Sequence, residues 1–223
     1  MLRMSTLFCY PAGMVPERPY HHGNLKPALL KAAVALIAEV GPAAFTLREV
    51  ARRAGISHNA PYRHFREKDE LLAAVAAEGF ERLADALSKP EKGGRASGPN
   101  PALRRFQASG KAYVRFALRS PEHLLVMFDW PLVPDRYPEL SVAAQRAFSI
   151  LVGLVQSAQR EGSLPGGDPI ASACIAWSLV HGVAKLAIGK KLPFRSESQI
   201  MRFATQAIEA LYEGMAPNTS SRG

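Results

Sequence analysis

The chain has 223 residues, of which 48% are hydrophobic and 21% are charged. This composition is typical of folded domains and excludes a disordered chain. The 28 lysines and arginines exceed the 19 acidic residues and give a formal net charge of +9, which favours an anionic partner, either nucleic acid or an acidic membrane surface.

Cysteine content and the first residues of the chain predict a cytoplasmic protein. Only Cys9 and Cys174 are present, so a disulfide framework or a cysteine-based zinc site cannot be built. The apolar stretch near the N-terminus is short and is broken by Pro11 and Gly13, which makes a poor signal peptide. The most membrane-like run, 171–189, contains a histidine and a lysine and is interpreted as a buried helix of a soluble protein. We therefore expect no membrane partner.

The first elements in chain order are an arm and a helix. Prolines and a glycine predict an irregular arm over residues 1–20. The first helix is predicted from about Asn24 to Val40, because aliphatic residues recur there at three- and four-residue steps. Gly41 and Pro42 end it.

A second, short helix has a well-defined start. Thr46 can cap it while Glu49 reaches back three positions, which is the pattern of a capping box. Phe45 and Val50 flank this cap as a hydrophobic staple. The helix is predicted to end at Gly55.

A third helix is predicted to follow at once, with Ser57 as its cap. Pro61 is then the fourth helical residue, where at most the first intrahelical hydrogen bond is lost. We therefore predict a helix that tolerates its proline and packs it inward. The residues predicted to face outward are His58, Asn59, Tyr62, Arg63 and His64.

The remaining pattern is helical throughout. A fourth helix is predicted after Phe65, and residues 89–100, rich in glycine, proline, serine and lysine, predict a flexible linker. Further helices are predicted at 101–119, 121–128, 139–161, 169–190 and 197–213. No stretch has the period of a strand, so the predicted fold is all-α. The predicted divisions are a DNA-binding domain with its connecting fourth helix (21–88), a C-terminal bundle for ligand binding and dimerisation (101–215) and a disordered tail (216–223).

The DNA-binding prediction depends on the first three helices. Two short helices joined by a tight glycine turn and supported by another form a helix-turn-helix, which lays its second helix in the major groove. Asparagine pairs with adenine edges and arginine with guanine, while tyrosine, histidine and lysine reach phosphate oxygens. Between Ala44 and Lys68 six basic residues stand against two acidic ones, a net charge of 6 − 2 = +4. The alternative is the polar face of an ordinary surface helix, and the concentrated charge favours DNA.

Three stretches carry a family resemblance: HHGNLKPALLKAAVALIAEVG, FTLREVARRAGISHNAPYRHFREKDELL and AWSLVHG. They resemble the TetR family of transcriptional regulators, and the last is similar to the Trp-His-Gly signature of one branch of its C-terminal domain. The resemblance implies a homodimer that binds a palindromic operator, as a repressor does. It also implies that a small molecule bound in the C-terminal domain changes the affinity for DNA.

By position, the resemblance implies two groups of DNA contacts. Thr46, Tyr62, His64 and Lys68 would hold phosphates. Arg48, His58, Asn59 and Ala60 would lie at or near base edges. Ser57 and Arg63 complete the predicted DNA-binding set. Pro61 departs from the bulky aliphatic residue commonly found there, which leaves the angle of the recognition helix open.

The C-terminal half concentrates aromatic and methionine side chains. The candidate ligand-binding residues are Tyr113, Phe116, Met127, Phe128, Phe148, Trp177 and His181. They either line an apolar cavity with the histidine as its polar anchor or form plain core.

The last two helices are predicted to form the homodimer interface. Small and apolar residues there could pack across a two-fold axis: Ala173, Ala176, Val180, Ala184, Phe203, Ala207 and Leu211.

The leading hypothesis is thus a repressor that an apolar or aromatic effector releases from DNA. A helical enzyme with an accessory helix-turn-helix would require an acid, base or nucleophile constellation, and none stands out. We expect no enzyme activity, no cofactor and no metal, since the adjacent His21 and His22 do not have a metal-ligand spacing. A DNA-binding protein without an effector is the other alternative, and it would show no thermal shift with ligands.

Overall fold

The computed structural model describes residues 25–89 and 100–215. The predicted arm, most of the predicted linker and the predicted tail lie outside the described residues. In the part described, the chain forms eight α-helices and no strand, which confirms the all-α prediction. The helices are α1 Leu25–Val40, α2 Leu47–Arg53, α3 Lys68–Ser88, α4 Pro101–Arg119, α5 Pro121–Phe128, α6 Pro138–Arg160, α7 Pro169–Ile188 and α8 Glu197–Met215.

The predicted capping box at the start of α2 is confirmed. The Thr46 hydroxyl accepts from the Glu49 backbone N–H at 3.3 Å, and the Thr46 N–H donates to the Glu49 carboxylate at 2.7 Å. Phe45 and Val50 are both buried. Gly55 has φ +69°, the left-handed conformation that a tight turn after α2 requires. The sequence therefore fixes both ends of this helix locally.

The predicted third helix is not an α-helix. Its place is taken by a turn and one short 3₁₀ segment, Pro61–Arg63. The Ala60 N–H donates to the Ser57 carbonyl and the His64 N–H to the Pro61 carbonyl, each at 2.9 Å and across three residues. Pro61 has no N–H with which to reach the Ser57 carbonyl four residues back, so the first α-helical hydrogen bond is missing. A bond across four residues reappears only at the end of the segment, where the Phe65 N–H donates to the Pro61 carbonyl at 2.9 Å.

Helix α3 belongs to both halves of the molecule. With α1 and α2 it encloses a core of buried residues that includes Leu29, Val50 and Leu72. The same core continues into Val126 of α5 and Leu140 of α6. Although the chain is predicted to be irregular between α3 and α4, the packing is continuous across the two predicted domains.

Helix α4 lies at the centre of the C-terminal bundle and contacts α6, α7 and α8. By length and composition alone, α6 and α7 could each cross a membrane. Here each packs along α4 and against the other. The run 171–189 is thus a helix of this bundle, as predicted, but it is not a buried one, since only 28% of its most apolar stretch is buried.

The face of α7 that we assigned to the dimer interface is turned inward. Its four residues, from Ala173 to Ala184, are at most 7% exposed. The exposed stripe of α7 is another face, made of Cys174, Ile175, Ser178 and Leu186. The assignment failed because α7 is apolar on more than one side, and helical periodicity then cannot tell which side meets the core. On α8 the predicted residues Phe203, Ala207 and Leu211 are partly buried.

Candidate functional site

The turn around the 3₁₀ segment presents a group of exposed polar side chains. Beneath it, Pro61 and Phe65 are buried in the core. A short piece of chain is therefore anchored by its apolar residues while its polar residues face outward. The exposed residues are Ser57, His58, Asn59, Tyr62, Arg63 and His64. Arg48 of α2, which is also one of the predicted DNA-binding residues, is exposed as well.

Two predicted DNA contacts have other roles in the structure. Ala60 is only 9% exposed, so its methyl group belongs to the core and not to the outer face. Thr46 is exposed, but its hydroxyl is used by the α2 cap, where it accepts from the Glu49 N–H and donates to the Glu49 carboxylate at 2.9 Å. These hydrogen bonds lower the pKa of Glu49.

Lys68 is also engaged within the protein. Its ammonium group donates to the Ala43 carbonyl at 3.0 Å and lies 5.5 Å from the ring centre of Phe45 and 5.3 Å from that of Trp130. The Trp130 indole N–H in turn donates to Asp69 at 3.1 Å. We call these groups the α3 junction. They connect the loop before α2, the start of α3 and the segment after α5.

The electrostatics of this face are positive. Arg53 pairs with Glu39 of α1 through two hydrogen bonds of 2.5 Å, and this contact lowers the pKa of Glu39. Arg52, Arg63 and Arg66 are exposed, as is Arg48. The cationic side chains of α2 and the polar side chains of the anchored turn can bind phosphates and base edges.

A second feature is an apolar cavity of about 210 Å³ within the bundle. Four of the predicted ligand-binding residues line it: Tyr113, Phe128, Phe148 and Trp177. We did not predict the contribution of α3 (Phe80, Leu83 and Leu87) or of the smaller α6 residues (Ala144, Ala147 and Leu151). Their apolar side chains could have signalled it, but we treated α3 as part of the DNA-binding unit alone.

His181 lies behind this cavity and not in its lining. The Tyr113 hydroxyl and His181 Nδ1 are 2.7 Å apart, and the His181 ring lies 4.7 Å from that of Phe128. Burial, followed by the nearby Lys185 ammonium, lowers the pKa of His181. Burial raises the pKa of Tyr113. Both groups are therefore neutral near pH 7.

The two other predicted ligand residues lie outside the lining. Phe116 is buried in the bundle core. Met127 packs on α3 at Gly79, where a Cβ would come within 2.5 Å of the Met127 sulfur and 3.2 Å of the His123 Cβ. Gly79 thus permits a close crossing of α3 and α5.

The all-α fold, with the short helix α2 followed by an anchored polar turn, is that of a helix-turn-helix transcription regulator in which a turn and a 3₁₀ segment take the place of the second helix. Two family models match the chain: "Bacterial regulatory proteins, tetR family" over residues 29–75, and "Tetracyclin repressor-like, C-terminal domain" over residues 106–211. The chain belongs to the TetR family of bacterial regulatory proteins.

Relatives in both sequence and structure agree with this family. The HTH-type transcriptional repressor Rv3405c of Mycobacterium tuberculosis is 40% identical over 65 residues, which are 29% of this chain and 35% of that protein. The match thus spans about a third of the repressor's length. A protein of unknown function from Rhodococcus sp. RHA1 is 35% identical, with a TM-score of 0.75 over 90% of this chain and 100% of that one. A tetR-family regulatory protein from Rhodococcus RHA1 has the same fold at 21% identity, with a TM-score of 0.67 over 86% of this chain and 96% of its own.

Proposed function

We propose that the protein is a cytoplasmic, homodimeric repressor that binds a palindromic operator and leaves it when a small apolar or aromatic effector fills the cavity. The observation that carries this proposal is the anchored turn. His58, Asn59 and Tyr62 are exposed while Pro61 and Phe65 beneath them are buried. Insertion into the major groove requires polar side chains that are exposed and held in place by a rigid core.

The bases are read by Arg48, His58 and Asn59, and phosphates by Tyr62, Arg63 and His64. Ser57 starts the turn, since its hydroxyl accepts from the Asn59 N–H at 3.4 Å. In this proposal Thr46 and Lys68 act by holding the framework of the turn, because their polar groups already have partners inside the protein.

Dimerisation uses the exposed stripe of α7 together with α8. Ile175 and Leu186 are 50% and 47% exposed, which is high for large apolar residues in one row of a helix. A Cβ at Gly182 would meet nothing within 4 Å, so a partner helix has room to approach there. If the exposed α7 stripes of two protomers packed against each other, both stripes would be covered. The DNA-binding turns of the two protomers would then lie on one face of the dimer, one for each half-site of the operator.

Effector response follows from the position of α3. Its C-terminal half lines the cavity through Phe80, Leu83 and Leu87, and its first residue stands in the α3 junction beside the helix-turn-helix. A molecule that fits one arrangement of α3 better than another therefore changes operator affinity. Such coupling is typically on the order of 1 to 3 kcal/mol.

The proposal is tested by selecting bound fragments from genomic DNA and measuring the affinity of the full chain for the selected site by fluorescence anisotropy. Asn59→Ala should weaken binding by roughly 1 to 3 kcal/mol and relax preference at one base position. Gln156→Ala, an exposed change on α6 away from the turn, is the matched control. If no fragment is enriched, or if the Asn59→Ala variant keeps its sequence preference, the turn does not recognise DNA bases as proposed.

A further inference from the structure

We propose that the cavity recognises an uncharged aromatic compound of one or two rings that carries a single hydroxyl group, which hydrogen-bonds to Tyr113. This inference rests on the proposed function, because it names the chemistry of the effector that the cavity would admit. It is carried by the size of the cavity, the chemistry of its wall and the Tyr113 hydroxyl group.

The size of the cavity suits one or two rings. The cavity holds about 210 Å³, and a protein cavity of about 150 Å³ suffices for benzene. A smaller space of about 40 Å³ adjoins the same Tyr113 and Trp177 side chains on the α8 side. Together these volumes admit a substituted benzene or a fused pair of rings.

The wall selects against charge. None of the ten lining side chains is acidic or basic. A carboxylate or ammonium moved from water into such a wall loses hydration and gains no partner, which costs several kcal/mol at least. The part of the ligand that lies inside this wall is therefore uncharged.

The arrangement of rings favours an aromatic ligand over an aliphatic one. Phe128 meets Phe80 edge to face, with ring centres 5.5 Å apart, and lies 5.8 Å from Trp177. Phe148 contacts Trp177 edge to face at 6.3 Å. These rings around one cavity present both edges and faces, which are the surfaces that another aromatic ring prefers.

Tyr113 provides the polar position. Its 2.7 Å contact to His181 has the length of a bond donated by a hydroxyl, and burial raises the Tyr113 pKa, so the phenol keeps its proton. With the proton directed to His181, the phenol oxygen still accepts. A ligand hydroxyl can therefore donate a hydrogen bond to the Tyr113 oxygen.

The test is calorimetric titration of the full chain, without DNA, with two matched sets of probes. One set is β-naphthol, naphthalene and β-naphthoate, and the other is para-ethylphenol, ethylbenzene and para-ethylbenzoate. We expect each phenol to bind about 3- to 10-fold more tightly than its hydrocarbon, which is the effect of one neutral hydrogen bond. Each carboxylate should bind at least about 100-fold more weakly than its phenol.

Two variants assign the binding to this cavity. Tyr113→Phe should remove the advantage of the phenol and leave the hydrocarbon affinity unchanged. Ala144→Phe fills the cavity and should abolish binding of all probes, whereas Gln156→Ala should alter nothing. The proposal is overturned if a carboxylate binds as tightly as its phenol, if the phenols have no advantage, if no probe binds, or if the filled variant still binds.

Failure of this inference is distinguishable from failure of the proposed function. Operator binding measured without ligand reports only on the repressor proposal. Probe binding measured without DNA reports only on the cavity. If the protein selects an operator but binds no phenol, the repressor proposal stands and the effector class proposed here is wrong. If it binds phenols but no DNA, the effector class stands and the repressor proposal is wrong.

Discussion

Lys68 allows the structure to be tested against the simpler expectation from sequence. The resemblance places Lys68 on a phosphate, whereas its ammonium group is held by the Ala43 carbonyl and by the rings of Phe45 and Trp130. Each exposed cation–π contact is worth about 0.5 to 1 kcal/mol, and the hydrogen bond adds about 0.5 to 1.5 kcal/mol. Lys68→Ala should therefore lower the free energy of unfolding by about 2 kcal/mol.

The assay combines urea unfolding with operator affinity measured over a range of salt concentrations. Lys68→Ala should shift the unfolding midpoint but keep the slope of log affinity against log salt. Arg48→Ala, the matched exposed change, should leave stability within about 0.5 kcal/mol. If Arg48 also touches a phosphate, its loss makes that slope shallower by about 0.9 for each contact. A Lys68→Ala protein that unfolds like the parent and has a shallower salt slope would refute the α3 junction.

Three further predictions concern the cap, a buried histidine and the dimer. Thr46→Ala removes the α2 capping box and should cost about 1 kcal/mol of unfolding free energy in urea, with Thr46→Ser largely restoring it. Burial, then Arg82, lowers the pKa of His123 below the ordinary 6.5, against the opposing pull of Glu78 and Glu122. The contribution of His123 to stability should therefore be complete above pH 6.5 and should be lost as the pH falls below 6.5 towards the lowered pKa. His123→Gln should make the melting temperature less dependent on pH over this range. Ile175→Asp should convert the dimer into a monomer of 24.2 kDa by light scattering, whereas Ser149→Asp on α6 should not.

What the sequence predicts well is local. The capping box of Thr46 and Glu49 and the turn at Gly55 involve residues within a few positions of one another, so spacing alone reveals them. Most of the predicted helix ends lie within a residue or two of the observed ones.

What the sequence does not predict depends on contacts between distant elements. The short segment at Pro61 has too few residues for a period, so its 3₁₀ geometry could not be separated from an α-helical turn. The engagement of Lys68 depends on Trp130, which is distant in the chain. The cavity was only partly predicted, because six of its ten lining residues belong to α3 or are the smaller residues of α6, whose apolar side chains are equally typical of core.

If α3 tilts when a ligand binds, we expect the close crossing at Gly79 to be the point about which it turns. The close crossing with Met127 and His123 lies near the middle of the 21 residues of α3, with the cavity residues on one side and Lys68 on the other. Lys68 is about 16 Å from this crossing along the helix axis. A tilt of about 5° would then move the DNA end by about 1.4 Å in the direction opposite to the cavity end. Because the two protomers of a symmetric dimer tilt together, the two turns would change their separation by up to about 3 Å, against half-sites about 34 Å apart. Gly79 would in this way be the pivot of α3. A bulky residue there would prevent the tilt, although it would contact neither the ligand nor DNA.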